Sequence, residues 1–322
     1  MINKLSKVID GFKNKKIGVI GDLMLDQFIW GDAERISPEA PVPVVLVSKE
    51  TSMPGGAANI ANNVAEMGGK PYMIGVVGSD LNGSFLTTKL KGSGIDVSGV
   101  LTLDDRPTIS KTRIIAGRQH VVRVDREKIN LISGEEEAQI IKNIEKNIHK
   151  WDLIIISDYA KGLLTDNLIK KVIVLAKNNN KTIVGNSKKP TSTSYLNFEN
   201  IDIFTANLKE AKLMTNTESL EKSGNIISKR LKCNTLITKG PEGMSLFKKG
   251  KMINFPVKAK EVFDVSGAGD TVVAALGLSL ASGLKLEEAV IIANHAAGVV
   301  VGKLGTATVL PVELKNSLKE DE

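Results

Sequence analysis

A chain of 322 residues is long enough for one large α/β domain or two ordinary ones with a real core, and its 42% hydrophobic and 25% charged residues are those of a globular protein. Aromatic residues at 4% exclude an extended stacking platform for single-stranded nucleic acid, and the net charge of +7 is spread without a block of like charges, which suits small anionic ligands rather than nucleic acid. One cysteine, Cys233, excludes an internal disulfide; residues 1–16 lack the apolar run of a signal peptide and the apolar stretches 272–284 and 289–301 fall short of a membrane span, so a cytoplasmic protein with no membrane partner is expected.

In chain order, residues 16–22 read as a buried strand whose carboxyl end, in an open α/β sheet, is where ligands bind. Asp22 and Asp26 sit at that mouth, either as turn acids or as acceptors for the hydroxyls of a polyol. Segment 27–50 changes character, with Phe28, Ile29 and Trp30, a proline-punctuated run from Ser37 to Pro43, and the β-rich Val44 to Val47. Prolines confine such strands to a sheet edge or a small separate sheet. Pro54-Gly55-Gly56-Ala57-Ala58-Asn59 then opens a helix through Met67. Its paired glycines permit close approach of a ligand or of another backbone, and a plain helix-start turn is nearly as good a reading.

Strands follow at 72–77 and 97–103, with a helix over 83–91 between them. Alternation over 106–126, with Gly117-Arg118-Gln119 as the turn, predicts a β-hairpin. Together with 27–50 it would make a small β-sheet lid bearing Lys111, Arg113 and Arg123; for Arg118 and Arg123 a solvated face is the favoured reading. Beyond it, helices at 135–150 and 166–178 alternate with strands at 151–159, 181–186, 201–205 and 235–240, and 245–255 reads as a terminal hairpin. This βαβ alternation predicts a mainly parallel sheet covered on both faces.

The segment Asp264-Val265-Ser266-Gly267-Ala268-Gly269-Asp270, before the apolar run from Thr271 to Leu284, carries the chemistry. Its glycines bring backbone close to a ligand at a helix start whose first amides attract an anion. Asp270 beside that cradle has the character of a general base, the equipment for phosphoryl transfer to a hydroxyl. Asp and Ser are also ordinary N-cap residues, so the segment alone leaves a structural reading at even odds.

Asp22, Asn59, Lys111, Asp158, Asn207, Glu210, Thr238 and Asp270 all fall where they could meet in one cleft. In this order they resemble the ribokinase-like (PfkB) carbohydrate kinases over nearly the whole chain: residues 264–271 resemble that family's carboxy-terminal signature and Gly55-Gly56-Ala57-Ala58-Asn59 its amino-terminal one. Within the family, residues 21–26, 35–44, Ser157-Asp158-Tyr159-Ala160-Lys161-Gly162 and 297–306 are similar to the bacterial heptose 7-phosphate kinases. The resemblance implies an α/β fold, a ribokinase-like three-layer sandwich with a mainly parallel central sheet covered by helices on both faces. A small β-sheet lid would come from strands at about 27–50 and 106–126 of a single kinase domain, 1–322. The implied reaction is ATP-dependent phosphorylation of the anomeric hydroxyl of D-glycero-β-D-manno-heptose 7-phosphate, giving the 1,7-bisphosphate on the way to nucleotide-activated heptose for surface polysaccharide.

By the same resemblance, Asp270 would be the base, and the amides of Gly267, Ala268 and Gly269 the anion hole for the transferring group. Asp22, Gly55, Gly56 and Asn59 would hold the sugar, with Asp158 beside them, and Lys111 and Arg113 its existing phosphate. Asn207 and Glu210 match an Asn-x-x-Glu element whose glutamate organises Mg²⁺ through water; Thr238, Lys239 and Gly240 would line the ATP phosphates, and Asn294 the adenine pocket. A homodimer joined through the lids is a further implication. The bacterial enzymes continue into a nucleotidyltransferase, whereas this sequence ends at Glu322 after the kinase motifs, so a kinase with no nucleotidyltransferase domain is expected. They also tend to have Asp-Pro-Lys where this chain has Asn186-Ser187-Lys188-Lys189, which leaves a kinase for another sugar phosphate open. A catalytically silent sugar-binding protein is the rival from another class. A dinucleotide-binding dehydrogenase is the weakest reading, because no Gly-x-Gly-x-x-Gly follows the first strand.

Overall fold

Alternation within one strand sets the architecture. Leu153 and Ile155 join one buried apolar cluster, and Ile154 and Ile156, their immediate neighbours, join another. A strand apolar on both sides has to be covered on both sides, and the period of two delivers its residues alternately to two cores.

The computed structural model describes residues 2–117, 119–188, 193–257, 264–303 and 305–320. The chain opens with α1 (Ile2–Asp10) and runs β1 (Lys16–Gly21), β2 (Leu23–Ile36), β3 (Pro43–Gly56), α2 (Ala57–Glu66), β4 (Lys70–Gly78), α3 (Leu81–Gly92), β5 (Asp96–Leu103), β6 (Ser110–Ala116), β7 (Gln119–Arg126), α4 (Gly134–Asn147) and β8 (Leu153–Asp158). It continues through α5 (Asp166–Asn178), β9 (Thr182–Ser187), β10 (Ile203–Asn207), α6 (Leu208–Thr215), α7 (Leu220–Leu231), β11 (Asn234–Thr238), β12 (Met244–Lys248), β13 (Lys251–Phe255), α8 (Ala268–Ala281), α9 (Leu286–Val300) and α10 (Pro311–Lys319).

A nine-stranded sheet in the order β13-β12-β11-β10-β9-β8-β1-β4-β5 forms the middle layer. From β11 to β5 every neighbouring pair is parallel, and the β12–β13 hairpin closes the other edge antiparallel. Apolar residues of α1, α2, α3, α8, α9 and α10 pack on one face and those of α4, α5, α6 and α7 on the other, which is the three-layer sandwich expected. Local chemistry starts the helices where the layers need them. Asp80 caps α3 and Thr165 caps α5, while Ser133 and Glu136 close a reciprocal capping box on α4.

The lid is a second, four-stranded sheet in the order β3-β2-β6-β7. It begins earlier than the sequence suggests, because β2 leaves β1 after Asp22 alone and pairs with β3 from Leu23↔Gly56 onward, with register shifts at Trp30/Gly31 and Asp32/Arg35. Pro54, Gly55 and Gly56 accordingly close a strand, and the helix starts at Ala57. The proline-bearing β3 lies at the sheet's edge, where a missing N–H disrupts no ladder. Strands β6 and β7 form the predicted hairpin, but Arg118 at its turn lies outside the described residues.

Ile155 is fully buried in β8 against α8, next to the site. Ile155→Ala is expected to lower unfolding free energy by about 2–5 kcal/mol. Urea unfolding checks this as a lower midpoint at an unchanged slope; an unmoved midpoint would contradict the packing described.

Candidate active site

The carboxyl ends of the parallel strands β1, β8, β9, β10 and β11 carry Asp22, Asp158, Asn186, Asn207 and Thr238, so ordinary α/β geometry gathers the polar residues at one edge. Helix α8 starts there too. Gly267 is its N-cap, with φ of +79° and no side chain to occupy the first-turn amides. A Cβ at that position would stand 2.8 Å from Asn59 Nδ2, so close approach as well as backbone conformation requires glycine.

Asp270 lies in the first turn of α8 and is 6% exposed. Its Oδ2 accepts from Asn59 Nδ2 on α2 at 2.9 Å, and its Oδ1 accepts from the hydroxyl of Tyr159, just past β8, at 2.5 Å. The Asn59 amide has only one orientation available. Asn63 Nδ2 donates to Asn59 Oδ1 at 3.1 Å and to its main-chain oxygen at 2.9 Å, and Thr271 Oγ1 in turn donates to Asn63 Oδ1 at 2.9 Å. The donor end of Asn59 is therefore the end that meets the carboxylate. Burial pushes the Asp270 carboxyl up from its ordinary value, while the hydrogen bonds from Tyr159 and Asn59 and the charge of Lys188 pull it part of the way back. A carboxylate with raised proton affinity, held from two sides, has the character of a general base.

Next to it opens a cleft of about 790 Å³. Asn207, Glu210, Thr238, Lys239, Gly240 and Asn294 all line it, together with Gly267, Ala268, Gly269 and Asp270. Asn207 and Glu210 form a capping box at the start of α6: Asn207 Oδ1 accepts from the Glu210 amide at 2.8 Å, and Glu210 Oε2 accepts from the Asn207 amide at 2.9 Å. The second carboxylate oxygen of Glu210 meets Lys188 Nζ at 2.9 Å. Asn294 donates to the Pro256 oxygen at 2.8 Å. The side-chain oxygens of Asn186 and Asn294 are buried on this wall without a hydrogen-bond partner among the described residues, which marks them as acceptors with room for a donor. Of the three amides expected to make an anion hole, that of Ala268 points to the Val265 oxygen at 3.3 Å.

The sugar-side candidates stand around the outside of this cleft. Asp22 is 1% exposed, and its carboxylate accepts from three backbone amides, those of Tyr159 at 2.9 Å, Lys161 at 3.1 Å and Leu163 at 3.2 Å. Asp158, likewise buried, accepts from the Ala160 amide at 2.9 Å and from Ser187 Oγ at 3.2 Å. Gly55 and Gly56 end β3; a Cβ on Gly55 would be 2.4 Å from Asp26 Oδ2. Arg113 Nη1 pairs with Asp26 Oδ1 at 2.6 Å, and its guanidinium lies 5.1 Å from the centre of the Phe28 ring. Lys111 pairs with Asp125 at 3.0 Å and Glu127 at 3.5 Å, and Arg123 with Asp125 at 2.8 Å as part of a wet lid face. The structure adds Tyr159, Asn63, Lys188 and Asn186 to the neighbourhood of Asp270. Tyr159 lay inside a quoted sequence motif with no role attached, because nothing local in a strand-to-loop tyrosine tells which distant acid it will reach.

Among the described residues no three His, Cys, Asp or Glu side chains converge to hold an ion, and no helix is long and apolar enough to cross a membrane. Glu210 and the unpartnered oxygen of Asn186 are hard oxygen donors on the same wall, a sparse set that fits an ion keeping much of its water and not an all-protein cage.

The family model described as pfkB family carbohydrate kinase matches residues 14–313. The chain is 43% identical to the bifunctional protein HldE of Geobacter sulfurreducens over 93% of this chain and 62% of that protein. To HldE of Helicobacter hepaticus it is 41% identical, over 94% and 63%. It thus spans less than two thirds of the length of these relatives. Among solved structures, Arabidopsis thaliana ribokinase complexed with ribose and ATP superposes with a TM-score of 0.75 at 20% identity, over 95% of this chain and 99% of that one. Phosphofructokinase-2 of Escherichia coli gives 0.76 at 18%, over 95% and 98%. At these identities the structural likeness is one of fold.

Burial, and secondly the charge of Asp158, push the Asp22 carboxyl from 3.8 up to about 6 against the pull of the loop amides. Its folded value lies above its unfolded one, so its contribution to stability is complete below the unfolded value and lost as pH rises through the folded one. That swing is about 3 kcal/mol in all, of which about 2 kcal/mol falls between about pH 4.5 and pH 7.5. Wild type should therefore lose about that much relative to the non-titrating Asp22→Asn across this interval in chemical denaturation. A pH-independent difference would contradict the assignment.

Proposed function

The chain belongs to the pfkB family of carbohydrate kinases, and from that premise we propose that it transfers the γ-phosphoryl group of ATP to the anomeric hydroxyl of D-glycero-β-D-manno-heptose 7-phosphate. The observation that carries this reading is Asp270, a buried carboxylate in the first turn of α8 on the wall of the cleft. The heptose follows from the motifs at 21–26, 35–44, 157–162 and 297–306 and from the similarity to the HldE proteins.

In the mechanism this supports, a carboxylate oxygen of Asp270 takes the proton as the sugar oxygen forms its bond to the γ-phosphorus. The bond from that phosphorus to the β,γ-bridging oxygen breaks, ADP departs, and Asp270 returns its proton to solvent. Main-chain donors at Gly267 and Gly269 face the oxygens of the migrating group, where each well-placed donor is worth about 2.7–4 kcal/mol in the transition state. Thr238, Lys239 and Gly240 lie along the phosphate chain and Asn294 offers its buried oxygen to the adenine. Glu210 and Asn186 would hold Mg²⁺ through water, and the ion supplies charge neutralisation on the phosphates. Lys111 and Arg113 on the lid are the cations for the 7-phosphate, which would draw them from their carboxylate partners, and lid closure would keep out water as a competing acceptor. A second reading, a kinase for a different sugar phosphate, is favoured by Asn186-Ser187 standing where the heptose kinases tend to have Asp-Pro.

Asp270→Asn is expected to lower turnover by about 10²- to 10⁴-fold while nucleotide binding persists. Coupled detection of ADP over a panel of sugars and sugar phosphates tests both claims: the heptose 7-phosphate should be the best acceptor, and unchanged turnover by the variant would refute the base assignment. Val122 and Val124, exposed on one face of β7, mark where a homodimer would pair its lids. Light scattering should then report twice the 34.6 kDa of the chain, and a monomer mass would exclude that pairing.

A further inference from the structure

The loop that follows β8 is fixed from outside the reaction path. Asp22 accepts the amides of Tyr159, Lys161 and Leu163, and Asp158 accepts that of Ala160, which sits in the left-handed region at φ of +59°. A loop tied down at four successive points of this kind has little freedom left. It presents one side chain to the base, the Tyr159 hydroxyl donating to Asp270 Oδ1. Lys188 Nζ lies 5.9 Å from the centre of the same ring, on the cleft side.

We propose that Tyr159 is a positioning residue for phosphoryl transfer, its phenol fixing the rotation of the Asp270 carboxylate and holding it ionised so that it can take the proton of the acceptor hydroxyl. This rests on Asp270 being the base. With Asn59 on Oδ2 from helix α2 and Tyr159 on Oδ1 from the loop at the end of sheet strand β8, donors from two different layers grip the two oxygens and leave the carboxylate a single orientation. Each oxygen keeps a second lone pair, so neither bond has to break for the substrate to be met. The phenol is suited to the task because burial, then the charge of Asp270, push it well above its ordinary value, and it remains a donor throughout the working pH range. Loss of such a donor raises the proton affinity of a buried acid further, and a protonated acid is no base.

The charged groups around the pair balance as follows. Lys188, after β9, favours the Asp270 anion and Asp26, on β2, opposes it. Asp26 is itself paired with Arg113 on β6, and Glu210 on α6, which also faces Tyr159, is paired with Lys188. Without the phenol, Asn59 and Lys188 alone would stand against burial and Asp26.

Tyr159→Phe removes one oxygen and keeps the ring. In the full chain, with ATP and the sugar phosphate, kcat should fall about 10- to 100-fold, the loss of one hydrogen bond to a charged group. The acid limb of the kcat/KM profile should move to higher pH by about one unit or more, while the KM for ATP stays within about twofold. Binding of a non-hydrolysable ATP analogue, followed by calorimetry, should match wild type; loss of that binding would overturn the proposal in favour of a purely structural role, as would lower kcat with an unmoved acid limb. Asp270→Asn separates the two levels of the argument. If it is inactive while Tyr159→Phe behaves as wild type, the inference on Tyr159 is wrong and the base stands; if it turns over normally, the base assignment itself is wrong.

Discussion

A carboxylate buried at the start of a helix, with a side-chain amide on one oxygen and a phenol on the other, is the arrangement on which the rest of this molecule depends. Taking the charge of Asp270 out of water is costly, and it is tolerable only because α2 and the β8 loop each bring a donor to it. The partners are remote in sequence, 211 residues away for Asn59 and 111 for Tyr159, so the site exists only when the sheet and the helical layer of α2 and α8 are assembled. Stability and geometry are joined here: the groups that make the burial bearable are the groups that orient the Asp270 carboxylate.

The fold supplies the rest by position. Parallel strands end at one edge, and every polar residue that ends one is delivered there without a dedicated scaffold. The lid grows from the same edge because β2 continues from β1 after one residue, and β6, which carries Lys111 and Arg113, is paired alongside it. Asp22, the residue between the two strands, holds the Tyr159 loop with its carboxylate, and so ties the root of the lid to the loop whose phenol meets Asp270.

Much of this was legible in the sequence where the controlling physics is local. Unbroken apolar runs such as 153–156 announce strands buried on both faces, prolines confined β3 to an edge, and glycines before an apolar helix located the start of α8. The Asn-x-x-Glu element is itself local, a capping box that also places Glu210 on the cleft wall. Less legible was whatever depends on long-range partners. The helix over Ile2–Asp10 lay in a segment read only for its lack of a signal-peptide run, because its apolar Leu5 and Ile9 only gain meaning against their packing partners. Lys111 and Arg113 read as candidates for the substrate's phosphate, yet each is held by lid or β2 carboxylates whose register no spacing rule gives. Asp22 read either as a turn acid or as a polyol ligand, and its engagement with the three amides of the loop after β8 could be foreseen only with that loop in place. Tyr159 was hidden for the same reason.

The most direct measurement is a crystal structure of the chain with the sugar phosphate and a non-hydrolysable ATP analogue together in the cleft. The account predicts the acceptor hydroxyl within about 3 Å of an Asp270 oxygen, and the terminal phosphate against the main chain of Gly267 to Gly269. An acceptor hydroxyl turned away from Asp270 towards another acid, with the phosphate elsewhere in the cleft, would contradict it.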